Sequence, residues 1–217
     1  MRIARPALCL ALAASLTAAG VAGAATRPKP KPVCKLVVDP AGDATLGGPA
    51  AADDALDIVS ADIASDAKSF TAVIRVKDLA AAQMSQLGSE LQMQFELPGA
   101  VAPAWIGYNT SAYGGDAFQY GLIGQGDGGV TSPTGDAVGI VDTAKNEVRM
   151  TVAVSALNEL GKAKPGTRIA NLTASSAQLL GISPNPSGVY AYNSVTVDDA
   201  AGKAYIAGAS SCVKPGK

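Results

Sequence analysis

From Val33 onward, apolar residues recur at every second position. Phe70, Ala72, Ile74 and Val76 alternate with Thr71, Val73, Arg75 and Lys77. Leu91, Met93, Phe95 and Leu97 alternate with Gln92, Gln94 and Glu96, and Val148, Met150, Val152 and Val154 with Arg149, Thr151 and Ala153. A period of two is the repeat of a β-strand, so each segment predicts a strand with one face in a core and one in water. Further strands are predicted at Lys35–Asp39, Asp57–Ser65, Ala104–Asn109, Phe118–Ile123, Ala137–Asp142, Arg168–Ala174, Tyr190–Val197 and Lys203–Ala207. Asp66-Ala67-Lys68 and Thr143-Ala144-Lys145-Asn146 read as hairpin turns. Helical signals are short: Leu79–Leu87 ended by Gly88, and Ala156–Leu160 capped by Ser155 and closed by Gly161. About ten or eleven strands with one or two short helices predict an all-β antiparallel sandwich, jelly-roll or immunoglobulin-like. Gly124–Gly135 is expected to be a loop. Its Gly126-Asp127-Gly128-Gly129 looks like a calcium-binding β-roll repeat, but a single copy cannot stack.

The N-terminus has a different composition. Arg2 and Arg5 precede an apolar run from Ala7 to Val21, and Ala22-Gly23-Ala24 fits a small-x-small cleavage site. The run is shorter than the roughly 20 residues a membrane span needs. Residues 1–25 therefore read as a signal peptide, 26–32 (T-R-P-K-P-K-P) as an extended Pro/Lys linker, and 33–217 as one sandwich domain. The mature chain is expected outside the cell or in the cell envelope, with no membrane span. After cleavage only Cys34 and Cys212 remain. In an oxidising compartment an even pair predicts a disulfide joining the first strand to the last, the alternative being two unpaired or intermolecular thiols.

There is no histidine among the 217 residues. That excludes Ser-His-Asp and Cys-His nucleophile systems and His-ligated zinc, copper or haem. A formal net charge of −1, more acidic by two once Arg2 and Arg5 are gone, argues against nucleic acid. The four glutamates, Glu90, Glu96, Glu147 and Glu159, read as outward strand or helix positions. With no nucleophile motif either, the chain is not expected to be an enzyme.

The candidate chemistry lies between Asp39 and Asp66, where seven aspartates occur with no Lys or Arg between Lys35 and Lys68. Carboxylates so close repel one another, and a hard cation such as Ca²⁺, which takes six to eight oxygen ligands, relieves that. Asp39-Pro40-Ala41-Gly42-Asp43 ends one strand in a turn, and Asp57 opens the next. Candidate ligands are Asp39, Asp43 and Asp57, with Asp53 and Asp54 in the intervening loop. The alternative is a set of Asx-turns and solvated loop charges.

The order D-P-A-G-D, a small-residue loop, L-D-I-V-S-A-D-I and a hairpin into F-T-A-V-I-R-V resembles the opening of DOMON-like sandwich domains. The groups it is most similar to are the calcium-binding domain ending glucodextranase-type enzymes and the family 9 carbohydrate-binding modules. The resemblance covers Val37 to about Leu79 and implies a secreted sandwich with a structural calcium, sometimes with a sugar or haem ligand. Asp39, Asp43 and Asp57 match its acidic positions, whereas Asp53 and Asp54 have no firm counterpart. The haem branch uses an axial His that this chain lacks.

Trp105, Tyr108, Tyr113, Phe118 and Tyr120 are half of the aromatic residues. Flat Trp and Tyr faces stack on pyranose rings, so Trp105, Tyr108 and Tyr113, with Asn109 for the hydroxyls, are candidate carbohydrate contacts. The competing reading, favoured by Phe118, Tyr120 and Leu122 sharing one apolar face, places Trp105, Phe118 and Tyr120 in the core. Asn109-Thr110-Ser111 and Asn171-Leu172-Thr173 match the glycosylation sequon. The function these features imply is a secreted, non-catalytic, calcium-stabilised module binding carbohydrate or cell envelope. The alternative is a structural or protein-interaction domain without a small ligand.

Overall fold

In a computed structural model, which describes residues 31–45, 53–81, 88–111, 115–124, 131–184 and 190–216, the alternating segments pair into two antiparallel sheets. One sheet has the order β1-β2-β3-β9-β8: Val37–Val38, Ile58–Ser65, Ser69–Val76, Glu147–Ala153 and Val138–Asp142. The other has the order β11-β10-β4-β5-β6-β7: Tyr190–Ala201, Arg168–Pro184, Gly88–Glu96, Ala104–Ser111, Ala117–Ile123 and Thr131–Asp136. A short β12, Tyr205–Ile206, pairs with the start of β10. The architecture is the predicted all-β antiparallel sandwich, and the described residues belong to the compact unit Lys31–Lys217.

The core lies between the sheets, and the period-two residues fill it. Phe70, Ala72, Ile74 and Val76 of β3 and Val148, Met150 and Val152 of β9 face Leu91, Met93 and Phe95 of β4 and Ala104, Ile106 and Tyr108 of β5. Phe70 meets Phe95 across the gap with ring centroids 5.0 Å apart. Burying a side chain of this size contributes roughly 1.5–3 kcal/mol.

Three local expectations are corrected. Residues 131–135, placed in the Gly-rich loop, belong to the edge strand β7 (Thr131–Asp136), because pairing with β6 (Leu122 opposite Ser132, Gly121 opposite Pro133) satisfies the backbone of a segment whose Pro133, Gly135 and Asp136 disfavour a strand. The helix α1, Val154–Leu160, starts one residue before Ser155; its N-cap is Ala153, with no side-chain cap, while Gly161 closes it by donating its N–H to Leu157 O. Of the helix predicted over Leu79–Leu87, only a 3₁₀ turn at Leu79–Ala81 falls within the described residues. The predicted disulfide joins Cys34 to Cys212 with Cα atoms 5.3 Å apart.

The outer face of the smaller sheet is also drier than alternation alone implies. The segment after Cys212 runs across it. Val213 packs on Ala64 and Val73, Arg149 donates to Lys214 O, and the Gly216 N–H donates to Thr71 Oγ1. Beside this strap Arg75 binds Asp62 at 2.8 Å and Glu147 at 3.1 Å. The central strands β2 and β3 are thus buried on both faces.

Candidate functional site

Three of the predicted aspartates meet at one edge of the sandwich. The turn after β1 needs a left-handed residue and has Gly42 there, at φ 97°. Gly42 donates its N–H to Asp57 Oδ2 at 2.6 Å, which brings Asp57, just ahead of β2, against the Asp39–Asp43 turn. The third wall comes from the far end of the chain. β11 carries a register shift where Ala177 pairs with Thr196 and Ser176 with Asp198, leaving Val197 as an extra residue. Such a bulge re-aims the side chains around it. Val197 joins the core, and Asp198 turns in beside it, accepting the Ile58 N–H at 2.6 Å.

One carboxylate oxygen from each of Asp39, Asp43 and Asp198 lies within 4.8 Å of the others. Asp57, fully buried, stands beside them. Burial, then the charge of Asp198 and a hydrogen bond with it, pushes the Asp39 carboxyl up to about 7. Burial also pushes Asp57 up, against the Gly42 N–H and the Lys77 ammonium, which hold it down. Lys77 Nζ stands 3.9 Å from Asp57 Oδ2, at the rim.

Two oxygens here, Asp39 Oδ2 and Asp57 Oδ1, are buried and accept no hydrogen bond among the described residues. A buried carboxylate oxygen without a partner is costly, and a cation supplies that partner. The donors are all hard oxygens, with no nitrogen or sulfur among them, which suits Ca²⁺, Mg²⁺ or Mn²⁺.

The structure separates the other two predicted ligands from this group. Asp54 is held by Lys77 at 2.8 Å, an exposed ion pair. Asp53 Oδ1 accepts the Ala55 N–H and shapes its own turn. Asp54 is thus a solvated loop charge and Asp53 an Asx-turn, as is Asp66, whose Oδ1 accepts the Lys68 and Ser69 N–H groups. Asp198 is the residue sequence reasoning missed. Its only local signal is the Asp198-Asp199 pair where the alternation of Tyr190–Val197 stops.

The aromatic candidates do not form an open platform. Trp105 is 1% exposed, although it lies outside the main core. Ala104, Ile106 and Tyr108 take the inner face of β5, so Trp105 occupies the opposite face, its Nε1–H donating to Leu122 O at 3.3 Å. This corrects both expectations for Trp105, as an exposed stacking ring and as a residue of the inter-sheet core. Tyr108 is buried, stacked on Phe118 at 4.8 Å, and donates its hydroxyl to Asp116 Oδ2. Burial and that bond push the phenol well above its ordinary range. Tyr120 belongs to the core and Phe118 packs on its margin. Asn109 Nδ2 donates to Gln119 Oε1 at 3.4 Å. Tyr113 lies outside the described residues.

Compared with known family models and with curated proteins, the chain finds no match.

Proposed function

We propose that this chain is an exported, non-catalytic binding module whose sandwich is completed by a structural calcium ion at Asp39, Asp43 and Asp198, with Asp57 beside them. The observation that carries this reading is the pair of buried, unpartnered oxygens, Asp39 Oδ2 and Asp57 Oδ1, at a cluster of hard donors. The ion would reinforce the join between the turn after β1 and β11, which already meet where the Thr45 N–H donates to Val197 O. The proposed export rests on the N-terminal charge, apolar run and cleavage pattern, and the Cys34–Cys212 disulfide agrees with an oxidising compartment.

Carbohydrate is the ligand class proposed from the DOMON-like resemblance. Its remaining support is a row of half-buried amides, Gln94, Asn109 and Gln119, on one sheet face. One observation favours the second reading, a protein-interaction domain. The edge strand β8 exposes Val138 (76%) and Ile140 (57%), a larger apolar display than an isolated edge requires.

Melting the purified protein in EDTA and in millimolar calcium tests the cation. At about 100 times Kd, calcium bound only to the folded chain adds about 2.7 kcal/mol, or about 5–11 °C in Tm for a domain of this size. Asp43→Asn and Asp198→Asn are expected to remove the shift, and Asp54→Asn to keep it. Superimposed curves for the wild type would overturn the calcium reading.

A further inference from the structure

We propose that a second site, a cleft where the two sheets part near Tyr108, binds a small organic ammonium compound with an apolar body. This goes beyond the calcium and carbohydrate readings and depends on neither. The cleft has a volume of about 260 Å³ and is walled by Leu56, Leu79, Leu91 and Val141, which come from both sheets and from the turns beside them. Its charged lining residues are acidic: Asp53, Glu90 and Asp116.

The sign of charge is built into the chain. Every lining residue comes from one of two stretches, Leu36–Ala67 and Asp78–Ala144, and neither contains a Lys or Arg. The two cations that flank the second stretch are paired with other carboxylates, Lys77 with Asp54 and Lys145 with Asp142. Asp116 is held in place at the lining by the Tyr108 hydroxyl at 3.0 Å, and Tyr108 is itself fixed by stacking on Phe118. Asp53, only 5% exposed, accepts the Ala55 N–H and so is also held in one position.

Three consequences for a guest follow. An anion meets only like charge, in surroundings whose apolar walls weaken screening. A polyol leaves the leucine and valine walls without an apolar partner. An ammonium head supplies donors and opposite charge to the acidic side, while a single ring or short chain covers the apolar side. The volume lies just below the roughly 300 Å³ at which drug-sized sites begin, which limits the body to about one ring.

The test titrates the purified, disulfide-bonded protein with three compounds of nearly one shape: phenethylamine, phenethyl alcohol and phenylacetate. Binding is followed by amide chemical shifts, in calcium and again in EDTA. Phenethylamine is expected to bind at least about tenfold more tightly than the alcohol, and phenylacetate not to bind. The shifts should centre on Leu91, Tyr108 and Val141. Asp116→Asn, which keeps the oxygen that Tyr108 uses, should cost the amine about tenfold and leave the alcohol unchanged. Asp53→Asn should act in the same direction. Equal affinities for the three compounds, no amine binding up to its solubility limit, or amine binding indifferent to both variants would overturn the proposal. A calcium-independent result for the amine leaves the cation reading to the melting experiment alone.

Discussion

Asp39 sits where burial and neighbouring charge act on a single carboxyl, and its titration has a direction that can be measured. Its pKa rises from an ordinary 3.8 to about 7 on folding. Between those values the folded, metal-free chain holds a proton that the unfolded chain has released. Stability in EDTA is therefore highest below the unfolded value and is lost as pH rises through the interval towards 7. The comparison that isolates this is wild type against Asp39→Asn, each melted in EDTA from pH 4 to pH 7. The wild type should lose Tm relative to the variant as pH rises, and saturating calcium should abolish the loss because the cation takes the proton's place. A difference that stays flat, or that grows in favour of the wild type, contradicts the assignment. At this scale the sequence was legible for Asp39, Asp43 and Asp57, whose turn chemistry is local. It was not legible for Asp198, whose contact with the Ile58 N–H spans 140 residues.

Among the elements, β1 depends most on its neighbours. It has two residues and is held on one side by β2 and on the other by a bridge between Val37 and Gly202. Gly202 is required by closeness rather than by backbone angle. A Cβ there would come within 2.5 Å of Val37 Cγ2 and 2.9 Å of Leu36 O. Gly202→Ala should therefore force β1 away from β11 and cost about 1–3 kcal/mol in urea unfolding, the usual range for overpacking. An unchanged midpoint would mean that β1 does not dock on Gly202. The longer strands needed no such arrangement to be recognised. β3, β4 and β9 bury the apolar set that their alternation picks out, because each presents one face to the other sheet. β7 was missed for the opposite reason: T-S-P-T-G-D has no alternation, and it pairs because β6 offers it an open edge.

For the whole molecule, the governing constraint is that the two ends of the folded chain are joined. Cys34 and Cys212 close a loop 178 residues long. In the chain-entropy model a loop of that length is worth about 5 kcal/mol, by limiting the unfolded chain. The Cys34→Ser/Cys212→Ser double variant should melt about 10–20 °C below the wild type. An equal Tm would show that the unfolded chain gains little freedom when the bridge is absent. The same closure lays residues 213–216 over β2 and β3, so the variant should also lose amide protection at Gly216, whose N–H rests on Thr71.

The sequence alone determined what depends on neighbours a few residues apart. Period-two alternation set the strands and their core faces, two hairpin turns set the β2–β3 and β8–β9 pairings, and the Asp39–Asp43 turn set half of the acidic cluster. Reading Cys34 and Cys212 as a pair was enough to join the ends. Tertiary structure decided what depends on residues distant along the chain meeting in space. A bulge in β11 turned Asp198 towards Asp39, the C-terminal strap dried the outer face of β2 and β3, and Trp105 was buried on the side of its sheet away from the main core. Alternation says that a side chain is on one face or the other. Only the folded chain determines what, if anything, covers that face.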